Sequence, residues 1–432
     1  MSGPAPGAPT ESARSAVWPA LVPSGDEVFR AESASGVQVT GADGRRYLCA
    51  DSGLWNTPLG YGNPVVAGAV AEALAVASYL PVFRSSHVLA ERAAHALLER
   101  AGGRYGRVLF STSGGAANDT VMKLSRHYWR LRGDQDRRVV IGLEGSYHGL
   151  THGSHALSGD ALLHDVYALD RRAVRHVPFD DGGERLAALL EREGHRIAAL
   201  VLEPVLGSGC RVVPSAFLER VQELRERHGF LLVADEVATG FHRTGPLFAS
   251  DAWSPAPDAL VLSKALTNGT CAAAAVLVRS AVVSAFDEAG ALFVHGETQA
   301  GTPPTCAAIL ATLAEFDRLE IPRAAARLAE RLERLLSDLA GAPGVVGSSG
   351  AGCFRALHLR RRDGSELDGA SVAQLVAAVR EAGALVHPGP SALQLVPALV
   401  FEEEHLRDLE RALRVALDSP IATAVLSTGD RG

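Results

Sequence analysis

Along this chain the clearest signal is a series of short, unbroken apolar runs, each closed by turn residues and a charge. Phe230-Leu-Leu-Val-Ala-Asp235-Glu236-Val237 is one, and Asp258-Ala-Leu-Val-Leu-Ser263-Lys264-Ala265-Leu266 is another. Both are too brief for a helix and read as buried strands of a parallel sheet. Arg107 to Ser111, Val139 to Leu143 and Ala198 to Leu202 repeat the pattern, the last running into Glu203-Pro204. Between the runs the apolar spacing turns helical. Ala116 to Arg132 carries Val121, Leu124 and Tyr128 on one face, and an amphipathic helix spans Glu184 to about Arg196. Strands alternating with helices at this pace predict a doubly wound, mostly parallel α/β sheet. Nearer the N-terminus, Gly36 to Leu48 alternates around Gly41-Ala42-Asp43-Gly44 and reads as a hairpin. Asp51 to Asn56 reads as loop, with an exposed Trp55, and Val65 to Val76 as helix.

Composition narrows the class. A chain of 432 residues with 47% hydrophobic and 21% charged residues has core enough for two or three soluble domains. A net charge of −7 speaks against a nucleic-acid surface, and Arg360-Arg361-Arg362 before Asp363-Gly364 reads as a solvated turn. The five cysteines are scattered and form no C-x-x-C pair, which fits a reducing compartment. No apolar run reaches membrane-span length. Residues 1–16, rich in Pro, Gly, Ala and Ser, read as a disordered tail without a signal-peptide core, and the expected location is cytoplasmic.

The chemistry sits at the ends of the runs. In an open α/β sheet ligands bind beyond the carboxyl ends of the strands, so Asp235 and Lys264 can converge on one small molecule. Pyridoxal phosphate needs that pair, an amine to hold its aldehyde as an imine and a carboxylate to keep its ring nitrogen protonated. Taken alone, the two residues fit ordinary polar strand ends equally well. The turn Thr112-Ser113-Gly114-Gly115 leads from a strand into a helix, the recipe for a phosphate cradle. Tyr147, in Gly145-Ser146-Tyr147-His148-Gly149, follows a strand where an aromatic ring can lie on a planar cofactor, and Glu203 extends the same cleft. His148, His152 and His155 have a spacing open to a metal. Glycines at 149 and 153 should break the helix that would align them, and no acid stands at ligand spacing, so no metal is expected. Trp55 reads as a wall of the substrate pocket or as a packing residue.

The order of these motifs carries a resemblance. Ser113-Gly114-Gly115 with Asn118, Tyr147-His148-Gly149, Glu203-Pro204, Asp235-Glu236-Val237 with Thr239-Gly240-Phe241, Ser263-Lys264-Ala265-Leu266 and His295-Gly296-Glu297-Thr298 follow one another as in the class III pyridoxal-phosphate-dependent aminotransferases. The chain resembles that family, of fold type I (aspartate-aminotransferase-like), from about Gly36 to Leu413. The resemblance implies a large cofactor-binding domain over 76–319, and a smaller α+β domain built from 17–75 and 320–432. It implies Lys264 as the imine-forming proton shuttle and Asp235 as the partner of the ring nitrogen. Tyr147 and Val237 would lie on the two faces of the ring, with Ser113, Gly114 and Gly115 on the phosphate and His148 and Glu203 completing the cofactor set. Thr298 resembles a residue that reaches the phosphate of a neighbouring subunit, implying a homodimer.

Departures from the pattern bear on substrate. Ala116 and Ala238 replace a usual Glu and Gln. Gln394, in Leu393-Gln394-Leu395-Val396-Pro397, stands where many members have an arginine that forks onto a substrate carboxylate. Val205-Leu206-Gly207-Ser208-Gly209 lacks the glutamate that pairs with that arginine. The expected activity is transfer of an amino group from an amine or amino-acid donor to a ketone or aldehyde, in specialised biosynthesis and on a carboxylate-free carbonyl such as that of a modified peptide, with Trp55 and Gln394 in the pocket. Arg84 or Arg243 could restore carboxylate binding by swinging inward. An isomerase or racemase of the same fold, and an ordinary omega-amino-acid:pyruvate or 2-oxoglutarate transaminase, stand as alternatives.

Overall fold

The structure, a computed structural model, describes residues 16–22, 28–160 and 162–427. The tail expected over residues 1–16 therefore lies outside the described residues except for Ala16.

Among the described residues seven strands form the central sheet: β1 (Tyr105–Ser111), β2 (Val139–Leu143), β3 (Val174–Val177), β4 (Ile197–Leu202), β5 (Leu231–Asp235), β6 (Ala259–Leu262) and β7 (Ala274–Arg279), in spatial order β1-β7-β6-β5-β4-β2-β3. All pairings are parallel except those of β7, which runs antiparallel to both β6 and β1. The apolar runs are unbroken because both faces are covered. Val201, Val233 and Val261 pack on one side with Val121 of the helix α1 (Gly114–Leu131). Leu200, Leu202 and Leu232 pack on the other with Phe217 and Val221.

The chain's two ends meet in smaller sheets. Gln38–Gly41 and Arg46–Cys49 form the expected hairpin, preceded by Ala31–Ser35, and Ala384–Leu385 pairs in parallel with its last strand. Arg45 donates to Glu381 Oε2 at 2.8 Å across the same junction. A second sheet joins Val345–Ala351, Phe354–Leu359, Ala392–Leu395 and His387–Gly389.

Two local expectations are overturned. Residues 152–157 do form a helix, His152–Leu157, with Gly153 inside it. That glycine lets the helix approach α1, since a Cβ there would lie 2.5 Å from Asp119 Oδ1. Asp51 to Asn56 is not open loop either. Ser52, Gly53, Leu54 and Trp55 have φ of 43°, 57°, 62° and 68°, a left-handed turn closed by Trp55 N on Asp51 O at 2.7 Å and Asn56 N on Ser52 O at 2.9 Å. Three of these residues carry the steric cost that L-amino acids meet in that region. The turn puts Trp55 indoors, 8% exposed, although its glycine-rich setting reads as exposed; of the two roles the sequence leaves open, pocket wall or packing residue, both need a side chain turned inward.

Candidate active site

Five loops at the carboxyl ends of the parallel strands supply the site. After β1, Ser113 caps α1, its Oγ accepting from Ala116 N at 3.2 Å, and the helix begins at Gly114, two residues earlier than its apolar pattern indicates. Both glycines answer to close packing. A Cβ on Gly114 would sit 3.1 Å from the Val237 methyls, and one on Gly115 would sit 3.3 Å from Ser154 Oγ and 3.4 Å from Gly149 Cα. The unpaired N–H groups at the head of this 18-residue helix suit an anion.

After β5, Asp235 is buried and accepts three hydrogen bonds. Asn118 Nδ2 and His148 Nδ1 each donate to Oδ2 at 2.8 Å, and Val237 N donates to Oδ1 at 3.1 Å. A carboxylate has about four acceptor sites, so one remains on Oδ1 for a further donor. Burial penalises the imidazolium of His148, but the bond to Asp235 and the charges of Asp235 and Glu203 outweigh it, and the ring is held above its ordinary value. Asn118 lies one helical turn beyond Gly114 on α1, which is why the cradle and the carboxylate share a support.

Lys264 follows β6 at φ 46°, a left-handed conformation rare for a side chain of this size. Its Nζ lies 4.5 Å from the centroid of the Trp55 ring. Burial lowers it to about 8, against the pull of Asp235 and Glu203, with Arg243 adding to the lowering. A useful fraction of neutral amine therefore exists near neutral pH. Glu203, beyond β4, accepts from Tyr147 N and Gly207 N, both at 2.9 Å, and burial raises it to about 7. One carboxylate thus fixes the backbone of Tyr147, half-buried beyond β2, and that of the 205–210 loop.

The remaining expected residues divide. Trp55 presses its edge against Phe354 and His387, ring centroids 5.0 and 5.2 Å away, and forms a side of the space around Lys264. Gln394 is buried, and its Nε2 donates to Gly207 O at 2.7 Å and Cys210 Sγ at 3.0 Å. Thr298 is exposed and bonds to none of these groups. Arg243 is buried and donates to Pro397 O and, at 3.4 Å, to Ser52 Oγ. His152 is exposed, while His155 packs on His164 with Nε2 at 3.0 Å from Leu162 O. Among the described residues no three His, Cys, Asp or Glu are placed to hold a metal. Phe354 and His387, which shape the Trp55 side, had no signal of their own; strand alternation alone does not say which face meets a cofactor.

This donor set fits pyridoxal 5'-phosphate: an anion cradle at a helix head, a free acceptor on a buried carboxylate, and a lysine with a lowered pKa. When bound, that group supplies an electron-withdrawing ring beside the carbon that carries the amino group. Ser113, Gly114 and Gly115 would hold its phosphate and Asp235 its ring nitrogen, while Lys264 Nζ can accept and return a proton.

Fold and site together define a fold-type-I transferase that uses pyridoxal phosphate. More narrowly, the chain belongs to the class-III aminotransferases, whose family profile matches residues 22–417. It is 30% identical over 410 residues to the omega-amino acid–pyruvate aminotransferase of Pseudomonas putida, covering 89% of this chain and 91% of that one. It is 31% identical over 408 residues to an omega-aminotransferase of Caulobacter vibrioides, covering 89% and 92%. An amine transaminase from an uncultivated Pseudomonas species, solved in its PLP-bound form, superposes with a TM-score of 0.88 at 29% identity, covering 94% of this chain and 99% of that one. The protein is a PLP-dependent aminotransferase. No helix among the described residues is long and apolar enough to cross a membrane.

Proposed function

We propose that this aminotransferase takes its amino group from an amine or amino-acid donor and delivers it to a ketone or aldehyde that carries no carboxylate beside the carbonyl. The observation that carries this reading is Gln394, whose amide donors are committed to Gly207 O and Cys210 Sγ in the interior. A neutral amide already engaged by the protein offers a carboxylate neither charge nor a fork of donors. Arg243 does not replace it, because its guanidinium is enclosed on Pro397 O and Ser52 Oγ. A buried unpaired carboxylate costs several kcal/mol. The names of the relatives favour a second reading, since three of them, from Pseudomonas putida and Pseudomonas aeruginosa, are pyruvate aminotransferases by name. Steady-state kinetics over simple ketones, aldehydes, pyruvate and 2-oxoglutarate decides between them. The expected result is a higher kcat/KM for the uncharged carbonyls, and a gain toward 2-oxo acids in Gln394→Arg; efficient saturation of the native enzyme by pyruvate or 2-oxoglutarate overturns the proposal.

The same reading includes a homodimer. Tyr79, Leu80, Phe83, Leu292 and Val294 are large, exposed apolar residues. Phe83 lies against the loop of Thr298, since a Cβ on Gly296 would come 2.9 Å from its ring. A second copy covering this strip would bring Thr298 toward the neighbouring cradle.

A further inference from the structure

The loop that carries Thr298 is fastened to the phosphate turn of its own chain. Glu297, the residue before it, accepts from the hydroxyls of Ser111 and Thr112 and from Thr112 N at 3.2 Å. These donors are the last two residues before the Ser113 cradle. His295 Nε2 stands 2.7 Å from Thr120 Oγ1, and Lys123 donates to Val294 O at 2.7 Å, so α1 holds the upstream side. Downstream, Gly301 has φ 64°, and a Cβ there would lie 3.0 Å from the Phe110 ring of β1 and 3.1 Å from Val82. Residues 294–301 therefore ride on β1 and α1, the pair of elements whose junction is the anion site. Thr298 itself is exposed, and its hydroxyl has no partner among the described residues.

We infer that Glu297 is a positioning residue that couples the two cofactor sites of a dimer, so that cofactor at one cradle prepares the loop that completes the other. The inference rests on the dimeric reading above. The Thr112 N–H and hydroxyl are committed to Glu297, so an adjustment of the turn as it receives a phosphate is passed to the residue adjoining Thr298. Glu297 also sets a carboxylate beside the turn that receives a dianion, so a phosphate bound there changes the electrostatic field at the residue adjoining Thr298. The effect must be reciprocal: whatever factor the first site adds to the second, the second adds to the first.

The test is a titration of the apo-dimer with PLP, followed by quenching of tryptophan fluorescence, with sedimentation at the same protein concentration. The native chain is expected to bind with a Hill coefficient above 1, the second site roughly fivefold or more tighter than the first. Glu297→Gln, which keeps the shape and loses the charge, and Thr112→Val, which removes a donor from the other side, are expected to remain dimers and bind with a Hill coefficient of 1. A native isotherm without cooperativity, or variants as cooperative as the native chain, overturns the inference. Thr298→Ala separates this from the reading beneath it. If that variant loads cofactor as the native chain does, Thr298 does not complete a neighbouring site and the coupling falls with it. If it loads more weakly while Glu297→Gln stays cooperative, the dimeric reading stands and only the coupling falls.

Discussion

Two buried cations stand near one another in this fold, and chemistry sorts them. Lys264 follows β6 with Asp235 and Glu203 within electrostatic reach, and burial takes it to about 8. Arg243, in the loop beyond β5, has no carboxylate partner among the described residues and donates to a backbone oxygen and a hydroxyl; burial takes it to about 10. The desolvation is of one kind, but the outcomes differ. A lysine near 8 exchanges its proton at working pH, whereas a guanidinium at 10 stays charged and acts as a fixed set of donors. Arg243 gathers Ser52 and Pro397 from opposite ends of the sequence. Since Ser52 Oγ also donates to Val396 O, this holds the left-handed turn that sets Trp55 over Lys264.

Exchanging the side chains breaks the comparison most sharply at Lys264. Lys264→Arg keeps the charge but not the labile proton, and turnover is expected to fall by about a thousandfold or more. Its melting temperature should stay within a few degrees of the native value. Substantial turnover in this variant, with saturating cofactor, would show that the amine is not the group that moves the proton.

The effect at Arg243 should run the other way. Arg243→Met leaves Pro397 O and Ser52 without their donor and is expected to cost about 2–4 kcal/mol of stability. Chemical denaturation measures this, and the surviving folded enzyme should show a raised KM more than a lowered kcat as Trp55 loses its fixed place. An unchanged denaturation midpoint would remove Arg243 from its role.

Acidity gives the smallest and most specific effect. The neutral fraction of an amine with a pKa of about 8 rises about tenfold between pH 7 and pH 9, so reloading of apo-enzyme with cofactor should accelerate by about that factor. Arg243 stays charged throughout this window. On stability the sign follows from the same lowering. Above about pH 8 the unfolded chain binds the proton that folded Lys264 has released, so apo-enzyme stability attributable to this group rises with pH until the ordinary lysine value is passed. A flat reloading rate from pH 7 to pH 9 contradicts the assignment.

What the sequence discloses and what it hides follow from the range of the forces involved. β4 and β5 are legible because both faces are buried, leaving continuous apolar runs such as Ile197–Leu202. The turn at the head of α1 is legible because its glycines stand where Val237 and Gly149 come close. Ser52–Trp55 is not legible, since only Gly53 in it favours a positive φ and the turn is held by Arg243 and Val396 from far along the chain. The helix His152–Leu157 is hidden for a related reason: Gly153, which locally reads as a breaker, serves a tertiary contact with Asp119. The reversed direction of β7 leaves no mark either, because a buried strand shows the same apolar run whichever way it points. Glu297 sits inside the motif His295-Gly296-Glu297-Thr298, but its bonds to Ser111 and Thr112 span 186 and 185 residues.

The pairing of the N-terminal hairpin with Ala384–Leu385 also sets a clock. Arg45 and Glu381, which meet at that junction, are separated by 336 residues. A ribosome adding roughly 5–20 residues per second needs about 17–67 s to cross that distance. Throughout that interval the hairpin and the turn bearing Trp55 exist without the strand and the Val396-Pro397 backbone that hold them. Lys264 and its parallel strands leave the ribosome well before the Trp55 turn opposite them can be fastened, so the buried amine is in place early and the turn beside it is among the last parts to be secured.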